Sequence, residues 1–200
     1  MSTGLLVGQS FWLAAPVAVA GILHMVVVKK DLFAALRVPI DGGRTLGGQP
    51  IFGPNKTWRG VAFMIVATAL LGAAQGAVLG AWAARSEAAC LDFAAAGGGS
   101  LALGYAAVNA VLGLGYALGE LPNSFLKRRI DIKPGKTGAG ILGVVFFLID
   151  QADSVVYGLL LAWAFFPLGG AIVLCGIICL TGLHLFLNFA LWAGKIRRNV

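Results

Sequence analysis

Five apolar stretches, at residues 4–28, 60–84, 101–121, 140–166 and 168–192, fix what this chain can become. Each is long enough to cross a bilayer, which takes about 20 apolar residues. Of the 200 residues, 59% are hydrophobic and only 12% charged, with a mean hydropathy of +0.89. A soluble domain of this size carries roughly twice that share of charge. The class expected is therefore an all-α integral membrane protein of five transmembrane helices, with residues 1–200 forming one domain. No Lys or Arg precedes the first stretch and its apolar run is long, so it reads as a span and not as a cleaved signal. Gly97-Gly98-Gly99-Ser100 reads as a loop.

The net charge of +7 raises the question of nucleic acid, and its distribution answers it. Lys29, Lys30, Arg37, Arg44, Lys56 and Arg59 lie between the first two spans. Lys127, Arg128, Arg129, Lys133 and Lys136 lie after the third, and Lys195, Arg197 and Arg198 end the chain. Only Arg85, beside Glu87 and Asp92, falls in the other large loop. With five spans the basic segments share one side. The positive-inside rule makes that side cytoplasmic, with the N-terminus outside and the C-terminus inside a cell membrane. No nucleic-acid partner is expected. Trp12, Trp58, Trp82, Trp163 and Trp192 are expected near span ends, as an aromatic belt. Cys90, Cys175 and Cys179 suggest neither a disulfide framework nor a zinc site. His24 and His184 stand alone in apolar stretches, where each is expected to bond a neighbour.

Two basic cytoplasmic loops carry the chemistry. The first, Val38 to Gly60, is dense in Gly and Pro and has no helical period. Its glycines let backbone N–H groups approach an anion. Asn55, Lys56, Thr57 and Arg59 add donors just before a helix, whose N-terminus favours phosphate. The spacing falls short of a Walker A: Gly48 and Gly53 fit, but Pro54-Asn55 stand where Lys should follow. The second loop fails likewise, with Ile130 at the first Gly position. That second loop runs Asn123-Ser124-Phe125-Leu126-Lys127-Arg128-Arg129 and on to Gly135-Lys136-Thr137-Gly138. Arg grips phosphate through two N–H groups, while Lys acts as a point charge.

Asp150 and Asp153 follow inside an apolar span, three residues apart and so on one helix face. Asp150 lies about 15 Å into that span at 1.5 Å per residue, near the middle of a core of about 30 Å. An acid at that depth marks function, and a water-filled cavity open to the cytoplasm would relieve its cost. Two carboxylates on one face repel unless something positive sits between them, and Mg²⁺ takes one or two protein carboxylates plus phosphate oxygens. Glu120, at the end of the third span, is a candidate third ligand. If both acids are metal ligands, Asp150→Asn and Asp153→Asn should leave the metal-free protein as stable as before, or more so. An ion-pair role for either predicts the opposite.

At these residues the chain resembles the CDP-archaeol synthase family, membrane cytidylyltransferases related to phosphatidate cytidylyltransferase. The blocks that carry the resemblance are Pro39-Ile40-Asp41-Gly42, Lys56-Thr57-Trp58-Arg59-Gly60, Ser124-Phe125-Leu126-Lys127-Arg128-Arg129 and Asp150-Gln151-Ala152-Asp153. Archaeal members usually carry Asp where this chain has Glu120, and Pro122-Asn123 is a further departure. The resemblance implies that CTP and a lipid phosphate give a CDP-activated lipid and pyrophosphate, with Mg²⁺. Candidate catalytic residues are then Lys127, Arg128, Asp150 and Asp153, and candidate metal ligands Asp150, Asp153 and Glu120. Candidate nucleotide-binding residues are Asp41, Asn55, Lys56, Thr57, Arg59, Ser124, Lys127, Arg128, Arg129 and Lys136. Other readings are a transferase for a polyprenyl or ester-linked lipid phosphate, a cation- or proton-coupled transporter, and a scaffold for anionic lipids. A transporter should show repeats or paired broken helices, and a scaffold needs no intramembrane acids. A homodimer is left open.

Overall fold

A computed structural model describes residues 2–82, 91, 93–136 and 138–193. Its helices are α1 (Thr3–Lys29), α2 (Trp58–Trp82), α3 (Leu101–Arg129), α4 (Gly140–Phe165) and α5 (Gly170–Ala193). Single 3₁₀ turns occur at Ala34–Leu36 and Ala94–Gly97. Helices α1 to α4 are long and apolar enough to cross a membrane, while the described apolar part of α5, Gly170–Phe186, is shorter. A hairpin of β1 (Thr45–Leu46) and β2 (Gln49–Pro50) sits between α1 and α2. Its turn, Gly47-Gly48, has positive φ at both residues, 60° and 78°, which is the geometry a two-residue hairpin turn demands.

Helix α3 lies between α2 and α4, and α1 packs against α2 and α5. Apolar side chains gain little by leaving lipid for one another, so close backbone approach must hold such a bundle. Glycines provide it. A Cβ on Gly72 would come 2.5 Å from the Tyr105 carbonyl, and one on Gly115 would come 2.7 Å from Gly158 Cα. One on Gly119 would come 2.8 Å from the Asp153 carbonyl. The core around these seams holds Leu13, Tyr105, Val108, Leu112, Leu159 and Ala162. The Tyr105 hydroxyl donates to the Leu91 carbonyl at 2.9 Å, which satisfies its one polar tip.

Two expectations need correction. The third span was expected to end at residue 121, yet α3 runs on to Arg129 through Pro122. Asn123, Ser124, Lys127, Arg128 and Arg129 therefore stand on a helix and not in a loop. Pro122 removes one intrahelical hydrogen bond, and the partners that α3's last turns find on α4 and on the hairpin outweigh that loss. Trp12 does not sit at a helix end: it lies well inside α1 and packs against the core. Trp58 and Trp163 are about half exposed near the ends of their helices, whereas the side chains of Trp82 and Trp192 lie outside the described residues. The all-α class holds: five helices carry the fold, and the β1–β2 hairpin is two residues per strand within the first loop.

Candidate active site

The first loop is closed at its base. Ile40 N–H donates to the Lys56 carbonyl at 2.8 Å and Trp58 N–H to the Val38 carbonyl at 2.9 Å. Asp41 organises the interior of this loop. Its carboxylate accepts from the N–H groups of Gly43 at 2.9 Å, Phe52 at 2.9 Å and Gly53 at 3.1 Å. Burial alone would raise this carboxyl, but the backbone donors of Phe52, Gly53 and Gly43 outweigh it and hold Asp41 below the usual carboxylate range.

The loop then docks on the end of α3. The Arg129 guanidinium donates to the Leu46 carbonyl, to Gln49 O at 3.2 Å and to Pro50 O at 2.6 Å, and it lies 5.1 Å over the Phe125 ring. Gln49 Nε2 donates to Asp131 Oδ1 at 2.9 Å. Lys56 pairs with Glu120. Two segments far apart in sequence thus meet at one end of the bundle.

Beneath this junction lies the polar cluster. Lys127 Nζ contacts both oxygens of Asp150, at 2.5 and 2.6 Å, and sits 5.5 Å over the Phe146 ring. Asn123 Nδ2 donates to Asp150 Oδ1 at 2.5 Å and to Asp153 Oδ2 at 2.8 Å. The second Asp153 oxygen accepts from Ser154, from N–H at 2.6 Å and the hydroxyl at 3.1 Å. The residues are spaced for this: 123 and 127 are one turn apart on α3, as 150 and 153 are on α4. The glycine seam at Gly119 brings the two helices close enough for short polar side chains to meet. Arg128 is buried on the same helix, and its Nε and Nη1 have no partner. A buried guanidinium with unused donors is costly and is poised for an anion.

The sequence candidates separate into groups. Lys127, Asp150 and Asp153 converge, and Ser124 and Arg128 are buried on the helix beside them. Lys56 and Glu120 form an ion pair. Asp41 and Arg129 are occupied in building the loop and fixing it to α3. Arg59 points elsewhere: its guanidinium meets Asp31 Oδ1 at 2.6 Å and the Leu32 carbonyl at 3.2 Å, at the end of α1. Thr57 sits at the head of α2, where Oγ1 accepts from Gly60 N–H at 3.4 Å. Asn55 and Lys136 are exposed. His184 Nδ1 lies 3.2 Å from the Gln151 carbonyl, and His24 stacks on Phe63. Sequence reasoning missed two residues. Asn123 heads the second basic segment and is a departure from the family pattern, but it was given no role at the site, although its place one turn before Lys127 was a usable signal. Asp31 had no signal, because its left-handed backbone (φ 50°) places it under Arg59.

The donor set suits a hard divalent cation: two carboxylates one helical turn apart, facing one amide and one ammonium, with a buried amide oxygen (Asn123 Oδ1) left without a partner. Among the described residues no group of three or more His, Cys, Asp or Glu side chains closes on one point.

The fold and the cluster define a class: an α-helical bundle with helices apolar enough to cross a membrane, and a charged site where the end of α3 meets the inner part of α4 beneath a docked loop. The family described as "CarS-like: CDP-archaeol synthase" matches residues 5–197. The CDP-archaeol synthase of Halobacterium salinarum is 34% identical over 156 residues, covering 75% of this chain and 76% of that protein. That of Thermofilum pendens is 32% identical over 154 residues, covering 76% of this chain and 60% of the relative. That of Methanocaldococcus jannaschii is 29% identical over 143 residues, covering 71% and 70%. No solved structure matches. The chain belongs to the CDP-archaeol synthase family, and it is a cytidylyltransferase.

Proposed function

We propose that this protein moves the cytidylyl group of CTP onto a membrane lipid phosphate, releasing pyrophosphate and giving a CDP-activated lipid for phospholipid synthesis. The observation that carries this reading is the partly buried cluster of Lys127, Asn123, Asp150 and Asp153, with Arg128 on the same helix holding Nε and Nη1 donors that have no partner among the described residues, in a chain matched by the family along nearly its whole length. A lipid phosphate oxygen attacks the α-phosphorus of CTP. The new P–O bond forms as the bond from the α-phosphorus to the bridging oxygen breaks, and that electron pair leaves with pyrophosphate. The attacking oxygen is already anionic, so no side chain need remove a proton. Catalysis is then positioning and charge neutralisation.

Each residue has a role in that scheme. Asp150 and Asp153 would hold Mg²⁺, which when bound neutralises triphosphate charge. Arg128, with donors unused at Nε and Nη1, supplies a guanidinium for a phosphate. Lys127 supplies a second cation, held ready on Asp150. Lys56 and the exposed Asn55 and Lys136 would add donors from the two loops, while Asp41 and Arg129 hold the loop that carries the first two. Arg59 acts from a distance, by fixing the start of α2 to the end of α1.

All eleven described Lys and Arg side chains lie between residues 29 and 59 or 127 and 136, at this end of the bundle. That supports five spans with the site facing the cytoplasm. The test is purified protein with labelled CTP, Mg²⁺ and a panel of ether-linked, ester-linked and polyprenyl phosphates. Label should appear in one lipid class together with released pyrophosphate. No labelled lipid from any member of the panel would overturn the reading.

A further inference from the structure

The cation site as described so far has two protein ligands, and Glu120, the third one expected, is engaged with Lys56. Asn123 has the better geometry. Its side chain is 6% exposed. Its amide nitrogen touches one oxygen of each acid, and its Oδ1 is buried with nothing to accept from. A half-turn about the last side-chain bond exchanges these two atoms with almost no change of shape. Oδ1 would then lie beside Asp150 Oδ1 and Asp153 Oδ2, so that three oxygens converge on one point. An amide oxygen is an ordinary ligand for a hard cation.

We propose that Asn123 is the third protein ligand of the cation site and that its amide reports occupancy. It donates to the two acids when the site is empty, and it accepts the cation when the site is full. Three oxygens facing one another with no cation would repel, which keeps the nitrogen inward in the empty state. At the other end of the amide the turn gives up no hydrogen bond, because Oδ1 has no partner there among the described residues. This inference rests on the metal reading of Asp150 and Asp153 above and adds a residue that the reading does not use.

The test reads metal binding without turnover. Mn²⁺ binding to the purified, nucleotide-free protein is followed by electron paramagnetic resonance, with Mg²⁺ as competitor, for the wild type, Asn123→Ala, Asn123→Asp and Asp153→Asn. Each is purified in Mg²⁺ and then stripped with chelator. Asn123→Ala should bind Mn²⁺ at least tenfold more weakly than the wild type. Asn123→Asp keeps the oxygen and loses the donor. It should bind at least as tightly as the wild type, while its metal-free melting temperature falls and recovers on adding Mg²⁺. An amide that only donates to the two acids gives the other pattern, with Asn123→Asp binding no better than Asn123→Ala, and that overturns the proposal. So does wild-type affinity in Asn123→Ala, or an Asn123→Asp protein that cannot be recovered folded even in Mg²⁺. Equal Mn²⁺ binding by the wild type and Asp153→Asn would remove the metal site itself. CTP-dependent pyrophosphate release by the wild type then shows separately whether the transfer reaction stands.

Discussion

Lys127 changes what each acid is expected to do on its own. Both acids were expected to be dispensable for the stability of the metal-free protein. Asp150 is not, because its two oxygens both face the Lys127 ammonium. Asp150→Asn strands that cation, whose side chain is 8% exposed. The cost should be about 1–3 kcal/mol, below the figure for a fully buried pair because Asp150 keeps 30% exposure. Asp153 meets only Asn123 and Ser154, so Asp153→Asn should leave the metal-free melting temperature unchanged or higher. Both variants should lose pyrophosphate release. Equal melting temperatures for the two variants would count against the pair as drawn. Asp41 gives a pH test. Its folded pKa lies below the ordinary 3.8, so its contribution is present above 3.8 and is lost as pH falls through the lower folded value. Amide exchange at Gly43, Phe52 and Gly53 should speed up as pH falls through that range, measured against the intrinsic exchange rate. In Asp41→Asn it should be fast at every pH. The types and spacing of Lys127, Asp150 and Asp153 were legible in the sequence. Their pairing was not, because it depends on where α4 lies against α3.

The helices show the same division. Where all five begin was readable to within two residues, because apolar length is a strong signal in a membrane chain. The end of α3 was not, because Pro122, Asn123 and three cations in a row look like an exit from the bilayer. That segment stays helical through contacts with α4 and with the hairpin, which no local pattern encodes. The glycine seams were hidden for a related reason: a chain with 29 glycines offers no way to tell the ones at contacts from the rest. Gly119 and Gly8 make the distinction testable. A methyl group on Gly119 meets the Asp153 carbonyl at 2.8 Å, while one on Gly8 meets nothing within 4 Å. Gly119→Ala should cost about 1–3 kcal/mol, as overpacking does, and should weaken the α3–α4 cluster with it. Gly8→Ala should be silent in thermal unfolding, and a matching loss in both variants would argue against the seam.

For the whole molecule, the charge asymmetry read from the sequence now has a place in space. The end of α1, the first loop, the start of α2, the end of α3 and the loop after it hold all the described cations, at one end of the bundle. Ser100, at the N-terminal cap of α3, lies at the other. A single cysteine at Ser100 should react with an impermeant thiol reagent on intact cells, and one at Arg44 should react only after permeabilisation. Labelling of Arg44→Cys from outside would invert the topology. Ser86, Arg85 and the basic tail at Lys195, Arg197 and Arg198 lie outside the described residues, so Ser100 and Arg44 bear this test.

The Lys127–Asp150 pair also bears on how the protein is made. A helix carrying two acids is a poor substrate for membrane insertion, and its charge must be met by something when it leaves the translocon. Here the counter-charge and the bridging amide stand on the preceding helix, α3, which emerges first and waits for α4. The chain can therefore settle in the bilayer during synthesis, with no need for metal or nucleotide. The Lys127–Asp150 half of the cluster is thus paired before any metal or nucleotide binds, and Asp153 is the charge left for a cation to meet.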